Sequence, residues 1–263
     1  ELNLTLIQRG QRFEGFTPEG ERILAWARAV LAAHDGLAAE AAICRGQMVG
    51  QLRVGMVPLA SLNPMQLIKP LAEKYPALQF SLLSMTSEQI IDGVSRNQLD
   101  LGICYLQHLD ERLFKIARLP QTRMGLLHDK RHFDFSAGTP GWDTLAALPL
   151  GFLTKGMYYR ESIEISFKAK GLTPTSVFES DSTFQIIQAV QAGICCAIMP
   201  LNNGLEALSD NLEILPIAET HVDSQLALIM RQQEPVSTLA EKCFAEAQGI
   251  FGCGRAADLA ACH

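Results

Sequence analysis

The sequence predicts an α/β protein: two parallel-sheet lobes in tandem, preceded by a long helix and a short two-stranded wing. Three observations predict this. Apolar residues recur at helical spacing through residues 18–46, and two successive series of strand and helix signals follow from about residue 50. Gly and Pro punctuate the joins between them. A chain of 263 residues, 48% hydrophobic, has the length for one large or two medium domains with proper cores.

Residues 4–21, LTLIQRGQRFEGFTPEGE, hold a short apolar run, a basic tip at Arg9-Gly10-Gln11-Arg12 and a return through Phe13 and Phe16. This reads as a wing. Thr17 can cap a helix, Pro18 fits the first helical position, and Glu19 and Glu21 favour the positive end of the helix dipole. Along that helix Ile23, Ala27, Val30, His34, Leu37, Ala41 and Cys44 alternate at spacings of four and three, with Leu24, Leu31 and Ala38 widening the stripe. This is the repeat of a coiled-coil seam, and His34 reads as a register-setting polar residue within it. About 28 such residues would run about 40 Å at 1.5 Å per residue, more apolar stripe than one small domain covers, so the helix is read as a dimer linker.

After Arg45-Gly46 and Gly50, residues 51–57 read as a strand, 58–63 as a loop leading into a helix through 75, 78–83 as a strand, 88–96 as a helix and 99–104 as a buried strand. Strand–helix–strand order with these lengths implies a parallel sheet. A second unit starts near Met124-Gly125-Leu126-Leu127. It continues with strand 150–153, helix 158–170, strand 176–179, helix 183–191 and buried strand 194–199. Residues 252–263 are rich in small residues and read as a flexible tail.

The wing and helix start, Gly50-Gln51-Leu52-Arg53-Val54-Gly55, Leu99-Asp100-Leu101-Gly102-Ile103 and Ala192-Gly193-Ile194 running to Met199-Pro200 stand in an order and spacing that resembles the LysR-type transcriptional regulators. The resemblance runs from Glu1 to about Gly249. It implies a two-lobed, periplasmic-binding-protein-like effector domain of two Rossmann-like subdomains, with the helix that reads DNA just upstream of Glu1-Leu2. Residues 1–17 would then be the remnant of a winged helix-turn-helix and 18–46 the dimerising linker helix. Lobe I would comprise 50–119 and 226–251, with lobe II at 120–225. The chain would cross out near 119–124 and return near 217–226. Strand 226–230 and helix 238–251 would then rejoin lobe I.

In open parallel sheets ligands bind outside the carboxyl ends of the strands, where loops start helices. Those loops bring Ser61 and Asn63, Thr86 and Ser87, and Cys104 and Tyr105 from the first unit. The second unit brings Thr154 and Lys155, Tyr158, Tyr159 and Arg160, and Ser182 and Thr183. Small hydroxyls at helix N-termini suit an anionic ligand, and tyrosines supply flat walls with a polar edge. The resemblance implies an effector-binding role for Ser61, Ser87, Tyr158, Tyr159 and Thr183. The alternatives are that Ser61, Ser87 and Thr183 are helix caps, that the tyrosines are lobe packing, and that Arg160 pairs with Glu161 or Glu164. The resemblance also implies that Arg9 and Arg12, flanking Gln11 on the wing, approach the DNA backbone, which positions without reading sequence.

Net charge is −6 and pI about 5.5, which argues against a large basic surface, so DNA contact would be local to the wing. No apolar run nears the roughly 20 residues of a membrane span, and no signal-peptide pattern opens the chain. Seven dispersed cysteines without metal spacing read as reduced thiols of a cytoplasmic protein. Cys195 and Cys196 fall in a buried-strand pattern whose side chains alternate faces, and so read as core residues rather than a redox pair. The sequence has no GxSxG elbow, P-loop, HExxH or dinucleotide fingerprint, so neither catalysis nor a cofactor is expected. The expected partners are promoter DNA through the full-length protein, a small-molecule effector, and further copies of the chain as homodimer and homotetramer. The rivals are a periplasmic solute-binding protein and, more remotely, a cofactor-free enzyme such as a dehydratase on the same scaffold.

Overall fold

The computed structural model describes residues 4–260 except 10–12, 61, 107–108, 122, 137, 139, 202–203, 205–207 and 219–224, with side chains omitted at 9, 13–14 and 252–260. The chain opens with β1 (Ile7–Arg9) and β2 (Phe13–Phe16), an antiparallel pair with Ile7 opposite Phe16. Helix α1 (Pro18–Cys44) follows. Its N-cap Thr17 accepts from the Gly20 N–H at 2.9 Å and donates to the Thr5 carbonyl at 2.7 Å. A methyl group on Gly20 would lie 2.0 Å from the Leu6 carbonyl oxygen, so only glycine lets the helix start sit this close to the wing.

The first lobe begins with β3 (Gly50–Met56), α2 (Met65–Lys74), β4 (Leu78–Ser84), α3 (Ser87–Ser95) and β5 (Leu101–Tyr105). A 3-10 turn at Glu111–Leu113 leads into β6 (Phe114–Arg118). The chain then crosses into the second lobe with β7 (Met124–Asp129), α4 (Trp142–Ala147), β8 (Leu150–Leu153) and α5 (Tyr158–Ala169). It continues with β9 (Ser176–Ser180), α6 (Thr183–Gln191), β10 (Cys196–Pro200) and β11 (Leu212–Pro216). It returns as β12 (Leu226–Arg231) and α7 (Thr238–Ala260).

One sheet has the order β4-β3-β5-β12-β6 and the other β11-β7-β10-β8-β9. In the first, β3 runs parallel to β4 and β5 while β12 is antiparallel to β5 and β6. In the second, β8 runs parallel to β9 and β10 while β7 is antiparallel to β10 and β11. The two crossing segments are tied to each other: the Leu119 N–H donates to the Leu226 carbonyl at 2.9 Å and Gln225 Nε2 to the Leu119 carbonyl at 3.0 Å. Two connections passing side by side at Leu119 and Gln225 allow a hinge, because few dihedrals need change for the lobes to move.

The cores follow from alternation. Strand β5 is buried at every position, as expected for a strand covered on both faces. Gly102 within it lets α3 approach, since an added methyl would meet Ile90 at 2.5 Å and Ile229 at 2.9 Å. Cys195 and Cys196 go to opposite faces of the second sheet, each into a different apolar cluster, and both thiols are free. Burial pushes them up to about 11 and about 12, so they are small core residues and not reactive thiolates.

Several expectations are corrected. Strand β5 extends through Tyr105, one residue past the expected 99–104 strand, so Tyr105 lies in the sheet rather than in the loop after it, held by β12 pairing at Leu226. The last helix does not end at 251 but continues to Ala260, because Ala256, Ala257 and Leu259 favour helix enough to carry it past Gly252 and Gly254. Elements β6, α4 and β11 were not anticipated; each is only five or six residues long.

Helix α1 rests on the first lobe by a narrow edge. Ala32 and Ala42 are buried, and the Glu40 carboxylate accepts from the Thr238 hydroxyl at 2.8 Å and from its N–H at 3.3 Å, joining α1 to the start of α7. The opposite face is bare: Trp26, Val30, Leu31 and Leu37 are 73%, 65%, 64% and 71% exposed. No described residue covers that stripe. His34 is equally exposed, its Nδ1 3.3 Å from Oδ1 of the neighbouring Asp35, while Ile23 is half-buried.

Candidate functional site

A crevice of ≈ 130 Å³ lies between the lobes. The first lobe lines it with Val57 and Pro58 after β3, Thr86, Ser87 and Glu88 at the start of α3, and Tyr105 at the end of β5. The second lobe lines it with Gly156, Met157, Tyr158, Tyr159 and Glu161 at the start of α5. A cavity of about 150 Å³ holds benzene, so the closed crevice suits a ligand of about one ring.

Local sequence explains the geometry. Thr86 caps α3 in a reciprocal box: its hydroxyl accepts from the Gln89 N–H at 3.4 Å while the Gln89 side chain accepts from the Thr86 N–H at 3.0 Å. Ser87 is thereby left on the first helical turn, and its hydroxyl accepts from the Tyr105 N–H at 3.4 Å. Tyr105 and Tyr158 meet across the lobes with ring centroids 4.3 Å apart and planes tilted by 41°. Tyr159 is buried, and its hydroxyl has no hydrogen-bond partner among the described residues. Burial, with Tyr105 nearby, pushes Tyr159 well above the usual phenol range, so it stays a neutral donor. A buried donor without an acceptor costs roughly 1–3 kcal/mol, a cost that a ligand oxygen would relieve.

The structure brings together Thr86, Ser87, Tyr158 and Tyr159 from the sequence candidates. Ser61 lies outside the described residues, as do Gln11 and Arg12 of the wing and the side chain of Arg9. Asn63 stands apart from the crevice lining, its Oδ1 accepting from the Met65 N–H at 2.9 Å. Cys104 is turned into the first-lobe core, where burial pushes its thiol up to about 12. The Thr154 N–H donates to the Ser180 carbonyl at 3.1 Å, and neither it nor Thr183 is among the lining residues. The cap of α6 is Ser182, one residue before Thr183. Sequence reasoning missed Glu88 and Glu161. Both stand in the first turns of the right helices, and Glu161 was one of two partners offered to Arg160. That arginine reaches the other, Glu164, at 2.6 Å and stacks 3.9 Å from the Phe152 ring, which leaves Glu161 on the crevice.

A wider groove of ≈ 480 Å³ separates α1 from the first lobe, but its main charges, Arg53 and Asp100, satisfy each other. Among the described residues no group of three or more His, Cys, Asp or Glu is placed to hold a metal ion. No described helix is long and apolar enough to cross a membrane.

Residues 45–250 match the family model described as the LysR substrate binding domain. The chain belongs to that family. The HTH-type transcriptional regulator EstR of Acinetobacter baylyi is 24% identical over 241 residues, covering 90% of this chain and 79% of EstR. Two solved structures share the fold of this LysR-family chain. Full-length CbnR complexed with its target DNA has a TM-score of 0.67 at 20% identity, covering 92% of this chain and 84% of CbnR. The Synechocystis CcmR regulatory domain in complex with 2-PG has a TM-score of 0.64 at 17% identity, covering 76% of this chain and 97% of that domain.

Proposed function

We propose that this chain is the effector-sensing and subunit-pairing part of a LysR-type DNA-binding transcriptional regulator, acting in the cytoplasm and without catalysis. The observation that carries the reading is the inter-lobe crevice, lined from both lobes, with Tyr159 among its walls and the Tyr159 hydroxyl buried without a partner among the described residues. Family membership supports it, and so do similar proteins solved in complex with target DNA, as CbnR, or with 2-PG, as CcmR.

A ligand touching both lobes favours the closed arrangement only to the extent that it binds that arrangement more tightly. Closure turns the second lobe about the paired segments at Leu119 and Leu226. The first lobe is joined to α1 through Glu40 and Thr238, so the linker helix feels the change. The bare stripe of α1 pairs with the same stripe on a second copy, and the dimers associate further through their lobes. DNA contact belongs to the wing together with the rest of the winged helix-turn-helix in the full-length protein.

The test is a thermal-shift screen of small metabolites on the whole chain, repeated on Ser87→Trp, which fills the crevice. A stabilising compound is expected to lose its effect in the variant. A compound that stabilises both proteins equally would place the effector elsewhere.

A further inference from the structure

Resting on the reading of the crevice as the effector site, we propose that its ligand is a small organic ammonium of about one ring in size. The ammonium sits against Glu88 and Glu161 and the faces of Tyr105 and Tyr158, and an oxygen on the ligand accepts from the Tyr159 hydroxyl.

Charge points this way first. The described residues lining the crevice include two carboxylates and no lysine or arginine. Arg160, beside Tyr159 on α5, is occupied by Glu164 and by the Phe152 ring. The starts of α3 and α5 would by themselves favour an anion, but each carries its acidic residue, Glu88 or Glu161, in the first turn. Those carboxylates already complement the helix dipoles, so a bound anion would meet like charge at short range. The hydroxyl-rich loops alone would suit an anion; the two carboxylates are the observation that points the other way.

The walls agree. Tyr105 and Tyr158 meet ring against ring at the seam between lobes and both line the crevice, and an ammonium that reaches the face of such a ring gains about 0.5–2 kcal/mol, more as water is excluded. Tyr159 adds a requirement independent of charge: its buried hydroxyl needs an acceptor, which a ligand hydroxyl, carbonyl or ether oxygen supplies. Carboxylates at the rim, aromatic faces within and one buried donor together describe an amine-bearing ring with an oxygen substituent.

The experiment uses three probes of nearly equal shape, benzylamine, benzoate and benzyl alcohol, titrated into the whole chain by calorimetry and thermal shift. Benzylamine is expected to bind about tenfold more tightly than benzoate, with benzyl alcohol between them. The preference should vanish in Glu88→Gln/Glu161→Gln; the two single variants keep the comparison available should the double variant fail to fold. Benzoate binding more tightly than benzylamine, with its effect lost in Ser87→Trp, would overturn the ammonium while leaving the crevice as the effector site. Binding of any probe undiminished in Ser87→Trp would instead overturn the crevice reading itself. Equal binding of all three probes, or none by any, would also overturn the charge preference.

Discussion

The Asp100 carboxylate grips Arg53 at three points: Nη2 at 2.9 Å, Nε at 3.0 Å and the Arg53 backbone N–H at 2.7 Å. The pair ties the start of β5 to the middle of β3 beside the groove under α1, and only 8% of the Asp100 side chain is exposed. Replacing Asp100 by Ala leaves a half-buried guanidinium unpaired. A loss of about 2–3 kcal/mol is expected in urea unfolding, more than a surface pair would give.

Acid stability should report on Asp129. Its buried carboxylate accepts from Arg131 Nε at 2.9 Å and Nη2 at 2.7 Å, and these bonds hold it at about 2 against an ordinary 3.8. A carboxylate whose folded value is lowered contributes stability that is full above the unfolded value and lost as pH falls through the folded one. The chain should therefore lose stability between about pH 4 and about pH 2 through this group. Asp129→Asn should flatten that part of the pH profile, as followed by circular dichroism.

His128 acts in a higher window. It is buried against Phe135, rings stacked 4.8 Å apart, and burial lowers it from the ordinary 6.5 despite Glu213 nearby. Because the folded value is the lower one, its contribution is present above pH 6.5 and fades as pH falls below it. His128→Leu should make stability less dependent on pH just below about 6.5. An unchanged melting-temperature profile across that range would show that His128 is not the group responsible.

Gly20 is a local test of how the wing is held. With a methyl group predicted to fall 2.0 Å from the Leu6 carbonyl, Gly20→Ala must push the wing from the start of α1. Faster hydrogen exchange is expected at the Thr17 amide, which now donates to Leu6 at 3.1 Å, with little change in the lobes.

Much of the architecture was legible in the sequence where a segment was long or fully buried. Helix α6 and strand β8 fall where periodicity puts them, and the Thr17-Pro18 start of α1 is written in cap chemistry. Segments at sheet edges were not legible. Strand β6 mixes Phe114 and Ile116 with Lys115 and Arg118 over five residues, and β11 is equally short and ends on Pro216. Helix α4 spans six residues, too few for a helical period to show. In the crevice, strand-end logic found Ser87 and the two tyrosines because helix starts are visible in sequence. It missed Glu161, since which of Glu161 and Glu164 faces the cleft depends on the partner taken by Arg160, a matter of packing rather than spacing, and it missed Glu88, which stands beside Ser87 in the first turn of α3.

The claim that links ligand sensing to DNA is that α1 joins two copies along its bare stripe, and molar mass by light scattering tests it most directly. The wild-type chain of 28.8 kDa should run as a multiple of that mass, and Leu31→Glu/Leu37→Glu should shift it to the single-chain value. A wild-type chain that stays at 28.8 kDa across concentration, or a double variant of unchanged multiple mass, would contradict it.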